Sequence, residues 1–209
     1  TTNDLSYSKD TSTGELTLIA SNFEIRGQSD VAHNLIISGK SNSIYGGDLA
    51  DTIEELNSNC SNNYIYGGAG NDTIILRGGS IAYGEEGDDI FIAYSGVCYG
   101  GIGNDTITRY GGSGVSYGGE GDDVFNIYSS NAKYFGEEGN DTFNIIGSLS
   151  GIVIDGGSGT NNVTGEVGSN TTINVVGANS GSVSLVSGEE QSVMINGINY
   201  TVSTPSSAA

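Results

Sequence analysis

The chain has no tryptophan, one proline, one histidine and two cysteines among its 209 residues. Cys60 and Cys98 form no CxxC pair and no Cys/His cluster, which excludes an ordinary zinc site. His33 stands alone, so there is no HExxH pair, no Ser/His/Asp set and no phosphate-binding loop. Basic residues are scarce as well. Six Lys and Arg face 25 Asp and Glu, a formal charge of -19. That excess argues against nucleic acid, whose phosphates would be repelled, and against anionic membrane surfaces. No apolar run approaches the roughly 20 residues that span a bilayer, and no signal peptide opens the chain at Thr1. The chain therefore reads as part of something larger, or as a protein exported without a cleaved leader.

What is abundant is glycine, 35 residues of it, in a fixed spacing. Turns beginning at Gly46, Gly67, Gly84, Gly100, Gly118, Gly136 and Gly156 are separated by 21, 17, 16, 18, 18 and 20 residues. Five successive turns, from Gly67 to Gly136, keep glycine at position four and aspartate at position six. A period near 18 is two nonapeptides, and such a repeat marks a solenoid before anything else is decided. High charge would otherwise suggest disorder. An acidic chain that must fold can instead neutralise its carboxylates with a hard, oxygen-loving cation such as Ca²⁺.

The segment 46–163 resembles the GGxGxDxUx nonapeptide of the RTX calcium-binding β-roll family. The resemblance implies an all-β fold, a right-handed parallel β-helix with coils of about 18 residues. It also implies Asp51, Asp72, Asp89, Asp105, Asp123 and Asp141 as side-chain ligands of calcium. Backbone carbonyls in an extended turn alternate along the helix axis. Those of Gly67, Gly70, Gly84, Gly87, Gly100, Gly103, Gly118, Gly121, Gly136 and Gly139 would complete the shells, to about six oxygens per ion. Six stacked Asp turns leave five interstices. The chain also departs from the family pattern. Leu49 replaces glycine in the first turn, Asn161 replaces aspartate in the last, and the opposite turns (77–80, 94–96, 110–114, 128–131) lack aspartate altogether. One row of about five calcium ions is expected, not two, with the Asp51/Asp72 site the poorest. The alternative for these aspartates is a set of metal-free Asx turns.

Strand alternation assigns the remaining rows. Ile53, Ile74, Phe91, Ile107, Phe125, Phe143 and Val163 should stack inside, facing Ile44, Ile65, Ala82, Cys98, Ser116, Tyr134 and Ile154. Tyr134 beside Phe143 is large for this scheme, so the coil widens there or Tyr134 points out. Tyr45, Tyr66, Tyr83, Tyr99, Tyr117 and Phe135 should form an outer ladder, either structural or a sugar-binding strip. Glu85, Glu86, Asp88, Glu120, Asp122, Glu137 and Glu138 read as a solvated face. Thr52, Thr73, Thr106 and Thr142 make an outer threonine row, but Ile90 and Val124 interrupt it and argue against ice binding. Cys60 and Cys98 sit two coils apart, too far for a disulfide, and His33 reads as a surface or cap residue.

Residues 1–45 read as an N-terminal cap with metal-free coils, 46–163 as the calcium-binding array, 164–203 as a C-terminal β cap with a hairpin at Asn196-Gly197, and 204–209 as a disordered tail. The expected function is a calcium-binding structural module of a secreted or cell-surface bacterial protein, monomeric within a longer chain and folding on export. The alternative is a calcium-dependent carbohydrate- or surface-binding module. An enzyme is not expected, because nearly every paired acid belongs to a repeat turn.

Overall fold

The computed structural model describes residues 6–12, 15–147, 149–167, 173–176, 181–187, 191–195 and 198–202; the expected tail, 204–209, and Asn196-Gly197 lie outside them. Every regular element among the described residues is a strand. Strands alternate along the chain between two facing sheets of eleven strands each. One coil is therefore one strand in each sheet, and each strand pairs in parallel with its counterpart one coil on. Phe91, for example, lies between Ile74 and Ile107 in register, and Tyr99 between Tyr83 and Tyr117. This is a parallel β-solenoid of the β-roll kind.

The pairing starts before the repeat turns and runs past them. Leu16–Ile19 pairs in parallel with Asn34–Ser38, and Glu24–Arg26 with Ser43–Gly47. Beyond the last turn, Asn161–Val167 pairs in parallel with Gly181–Ser187, and Ile173–Val176 with Gln191–Ile195. One antiparallel strand then closes one sheet at each end. Ser6–Lys9 lies against Leu16–Ile19, and Ile198–Val202 against Gln191–Ile195, with Ile195 opposite Ile198. An antiparallel strand ends the parallel ladder and covers the sheet edge, where unpaired backbone would otherwise invite aggregation.

The two inner rows meet as alternation dictates, and all fourteen residues named above for them are buried. Large and small side chains compensate: Phe91 shares its coil with Ala82, and Phe125 with Ser116. Tyr134 points in. It meets Phe125 edge-on at 6.0 Å, and its hydroxyl lies 3.1 Å from Ser129 Oγ, so its polar end is satisfied inside. Phe125 and Phe143 stack at 4.7 Å, continuing the column. Close coil stacking also explains the glycines. Gly121 has φ 132°, and a Cβ there would lie 2.0 Å from the Gly103 carbonyl oxygen of the coil below.

Among the described residues, two charged side chains besides the aspartates of the turns are fully buried. Glu55 accepts from Asn63 Nδ2, the Arg77 and Gly78 amides and the Ser80 hydroxyl, so its desolvation is matched by donors. Arg109 has no carboxylate partner. Its Nη2 donates to the Gly96 and Val115 carbonyls at 3.1 Å each, and Nη1 has no partner.

Candidate metal column

Each turn places position six at the entry to a new strand, facing the coil interior. Asp51, Asp72, Asp89, Asp105, Asp123 and Asp141 are all buried there, in one column. Their Oδ1 atoms are engaged from coil to coil. The Asp51 amide donates to Asp72 Oδ1 at 2.7 Å, Asp72 to Asp89, Asp89 to Asp105 and Asp105 to Asp123, each at 2.7 Å, and Asp123 to Asp141 at 3.0 Å. These bonds tie neighbouring coils together. They are not Asx turns, which would bind a turn to itself.

The second oxygen of every one of these carboxylates has no partner. Among the described residues, the buried side-chain nitrogen and oxygen atoms without a hydrogen bond are six Asp Oδ2 atoms and Arg109 Nη1. Glycine backbone surrounds each Oδ2. A methyl group added at Gly100 would lie 2.1 Å from Asp105 Oδ2 and 2.3 Å from the Gly118 carbonyl oxygen of the next turn. The same pair of contacts recurs at Gly46, Gly67, Gly84, Gly118 and Gly136. Carboxylate and carbonyl oxygens therefore crowd one small space per turn, with no donor to the carboxylate oxygen. Burying a charged acceptor this way is costly unless a cation compensates it.

The residues present fit a cation. No group of three His, Cys, Asp or Glu side chains that could hold a metal occurs among the described residues, so most of its ligands would be backbone carbonyls. A shell of carbonyls and carboxylates spread over two turns suits Ca²⁺, which accepts six to eight oxygens in flexible geometry, better than Mg²⁺, which keeps its waters. Asp51, Asp72, Asp89, Asp105, Asp123 and Asp141 would hold it, with the position-one glycine carbonyls.

Burial pushes these carboxyls up. Asp72 and Asp89 rise to about 7, and Asp105 and Asp141 to about 6, desolvation being the largest cause, offset in part by the amide each accepts. Asp123 rises to about 8, with Asp105 and Asp141 adding repulsion. A raised folded value means that the folded state holds protons more tightly. Stabilisation is then complete below the unfolded value of about 3.9 and is lost as pH rises through about 6 to 8. In chelator, the chain is expected to gain β structure on acidification from about pH 8 to about pH 4. Circular dichroism checks this, and a pH-independent spectrum would count against a carboxylate-controlled fold.

The opposite edge uses another chemistry. There the Phe23 amide donates to Asn42 Oδ1, the Asn42 amide to Asn63 Oδ1 and the Asn63 amide to Ser80 Oγ. The ladder is the same, but amides and a hydroxyl replace carboxylates. Asn42 Nδ2 finds the Ala20 carbonyl, and Asn63 Nδ2 finds the Gly39 carbonyl and Glu55. No oxygen of this ladder is left over for a cation.

Several side chains make contacts that the repeat spacing does not indicate. His33 is no simple surface residue: its backbone amide donates to Asp51 Oδ1, and its ring lies over Gly27 of the first coil. Leu49 is exposed, while the Asp51–Asp72 bond of its turn is intact. Asp88 and Asp122 alternate with Asn71, Asn104, Asn140 and Thr160 in a second, exposed ladder of amide-to-side-chain bonds. Spacing alone gave no signal for this outer ladder, because Asn and Asp share the position.

The tyrosines form a ladder from Tyr45 to Phe135, with ring centroids 4.7–5.0 Å apart and interplanar angles of 1–14°. Rings stacked this way cover each other's faces and present edges to solvent. Arg26 lies 4.1 Å from the Tyr45 ring centroid at the end of the stack. Tyr94, Tyr110 and Tyr128 make a shorter second ladder. Both cysteines are buried and free, and burial pushes the Cys98 thiol up to about 11, away from nucleophilic use.

Residues 61–80 match the family model of the RTX calcium-binding nonapeptide repeat (4 copies). No curated protein and no solved structure matches the chain.

Proposed function

We propose that this chain, built on RTX calcium-binding repeats, is a structural module of a secreted or cell-surface protein that folds when it meets calcium outside the cell. One observation carries the reading: six buried Asp Oδ2 atoms in one column, each without a donor. A chain with this column is unstable where calcium is scarce and stable where it is plentiful. Metal-binding energy becomes folding energy, and the external concentration acts as the trigger.

The arrangement supports a scaffold over an enzyme. The ring of the single histidine is engaged by its surroundings, with Nε2 accepting from the Gln28 amide, and Nδ1 against the Val31 carbonyl and 3.6 Å from Asp51 Oδ1. It supports a scaffold over sugar binding on the tyrosines, because the stacked rings keep their faces from a sugar. A calcium titration followed by circular dichroism tests the proposal. The folding midpoint belongs above cytosolic calcium and near the 10⁻⁴–10⁻³ M of extracellular modules, about a thousandfold above cytosol. A chain already folded at submicromolar calcium would refute an export-linked switch.

A further inference from the structure

We infer that Asn161 is a built-in plug that ends the cation column, and that the interstice between Asp141 and Asn161 is a latent calcium site held shut by one amide. The inference rests on the calcium reading above. The turn at 156–161 keeps glycine at positions one, two and four and departs from the motif at position six. Asn161 Oδ1 accepts the Asp141 amide at 2.7 Å, the same coil-to-coil bond that the aspartates make. Its side chain therefore lies as theirs do. A methyl group at Gly156 would meet Asn161 Nδ2 at 2.6 Å, where the corresponding methyls in the six Asp turns meet Oδ2 at 2.0–2.4 Å. The nitrogen stands where the orphaned oxygens stand.

The chemistry there is reversed in sign. Asn161 Nδ2 donates to the Gly156 carbonyl at 2.8 Å and to the Ser158 carbonyl at 3.2 Å. An amide nitrogen has two hydrogens, so both are used. The Gly156 carbonyl, whose position-one counterparts elsewhere crowd an unpartnered Oδ2, is satisfied from within the turn, and so is that of Ser158, whose counterparts at Glu86, Ile102, Glu120 and Glu138 accept an amide of the preceding coil instead. Asn161 accordingly has no unpartnered atom, whereas each aspartate of the column has one.

The other end is closed in a parallel way. The His33 ring lies against Gly27, with Cδ2 2.9 Å from the position of an added methyl. One ring nitrogen accepts from the Gln28 amide at 2.9 Å, and the other lies against the Val31 carbonyl. Above Asn161 the coil continues by parallel pairing of Asn161–Val167 with Gly181–Ser187. The plug thus stands where the aspartate column stops while parallel pairing continues, and it spares the column a half-built terminal site.

Native mass spectrometry of the full chain in saturating calcium tests this. Asn161→Asp is expected to bind one ion more than the unsubstituted chain. Asn140→Asp, which adds the same charge on the exposed outer ladder, is expected to add none. Asp141→Asn moves the plug inward and is expected to lose one ion while the chain stays folded in calcium. An Asn161→Asp chain with a folded spectrum and an unchanged count would overturn the plug. If that variant fails to fold, Asp141→Asn decides: one ion fewer supports the inference, and an unchanged count overturns it. An unsubstituted chain that binds no calcium would overturn both this inference and the reading beneath it.

Discussion

In excess EDTA the chain is expected to lose most of its β structure and expand, and in millimolar calcium to recover both. An unsatisfied buried polar group costs roughly 1–3 kcal/mol, more when charged. Six Asp Oδ2 atoms are in that state without a cation. Their sum is comparable to the whole net stability of a folded domain, about 5–15 kcal/mol. A formal charge of -19 adds self-repulsion in the compact state. The inner rows offset this least in the middle coils, where the small residues Ala82, Cys98 and Ser116 face the larger row. Circular dichroism and small-angle scattering in calcium and in EDTA are the measurements. Identical spectra and radii in both would contradict the coupling of folding to metal, once mass spectrometry has shown that no ion stays trapped.

Asp105→Ala is expected to raise the calcium midpoint of folding far more than Asp51→Ala. Asp105 sits in mid-column: its amide donates to Asp123 Oδ1, and its own Oδ1 accepts the Asp89 amide. Truncation removes a ligand shared by the interstices above and below, and leaves the Asp89 amide buried without its acceptor. Breaking one partner out of a buried charge assembly costs about 3–5 kcal/mol, and in a solenoid such a break divides the stack, since each coil is stabilised by its neighbours. Asp51 lies at the first turn, beside His33, and touches one interstice only. Asp105→Asn separates ligand loss from loss of the ladder. Its Oδ1 can keep the Asp89 bond, and its Nδ2 can donate within the turn as Asn161 does. It should bind fewer ions than the unsubstituted chain and yet be at least as well folded in EDTA. Equal midpoints for Asp105→Ala and Asp51→Ala would mean that the sites are not stacked and shared.

The coil, its period and its two inner rows were legible because repetition makes them so. Position eight recurs as Ile74, Phe91, Ile107 and Phe125, and a strand puts one such position inside per coil. The aspartate column was legible for the same reason. What escaped notice depends on single side chains meeting across coils. Tyr134 looked too large for the interior until its hydroxyl found Ser129. His33 lies upstream of the motif, and the parallel pairing of Asn34–Ser38 with Thr52–Glu55 brings it to Asp51. Asn42, Asn63 and Ser80 share no motif, yet they form the metal-free counterpart of the aspartate ladder. Glu55 and Arg109 occupy inner positions where a period argument expects apolar residues, and some of their partners, Gly78 and Gly96, come from a neighbouring coil.

The central claim is one column of cations on the aspartate edge and none on the asparagine edge. Counting and locating the ions by native mass spectrometry, together with anomalous scattering from calcium-grown crystals, tests it most directly. The account predicts about five ions, one per interstice between the six Asp turns, within a range of about four to six, and no ion beside Asn42, Asn63 or Ser80. A count of about eight or more, or density for calcium on the opposite edge, would contradict it.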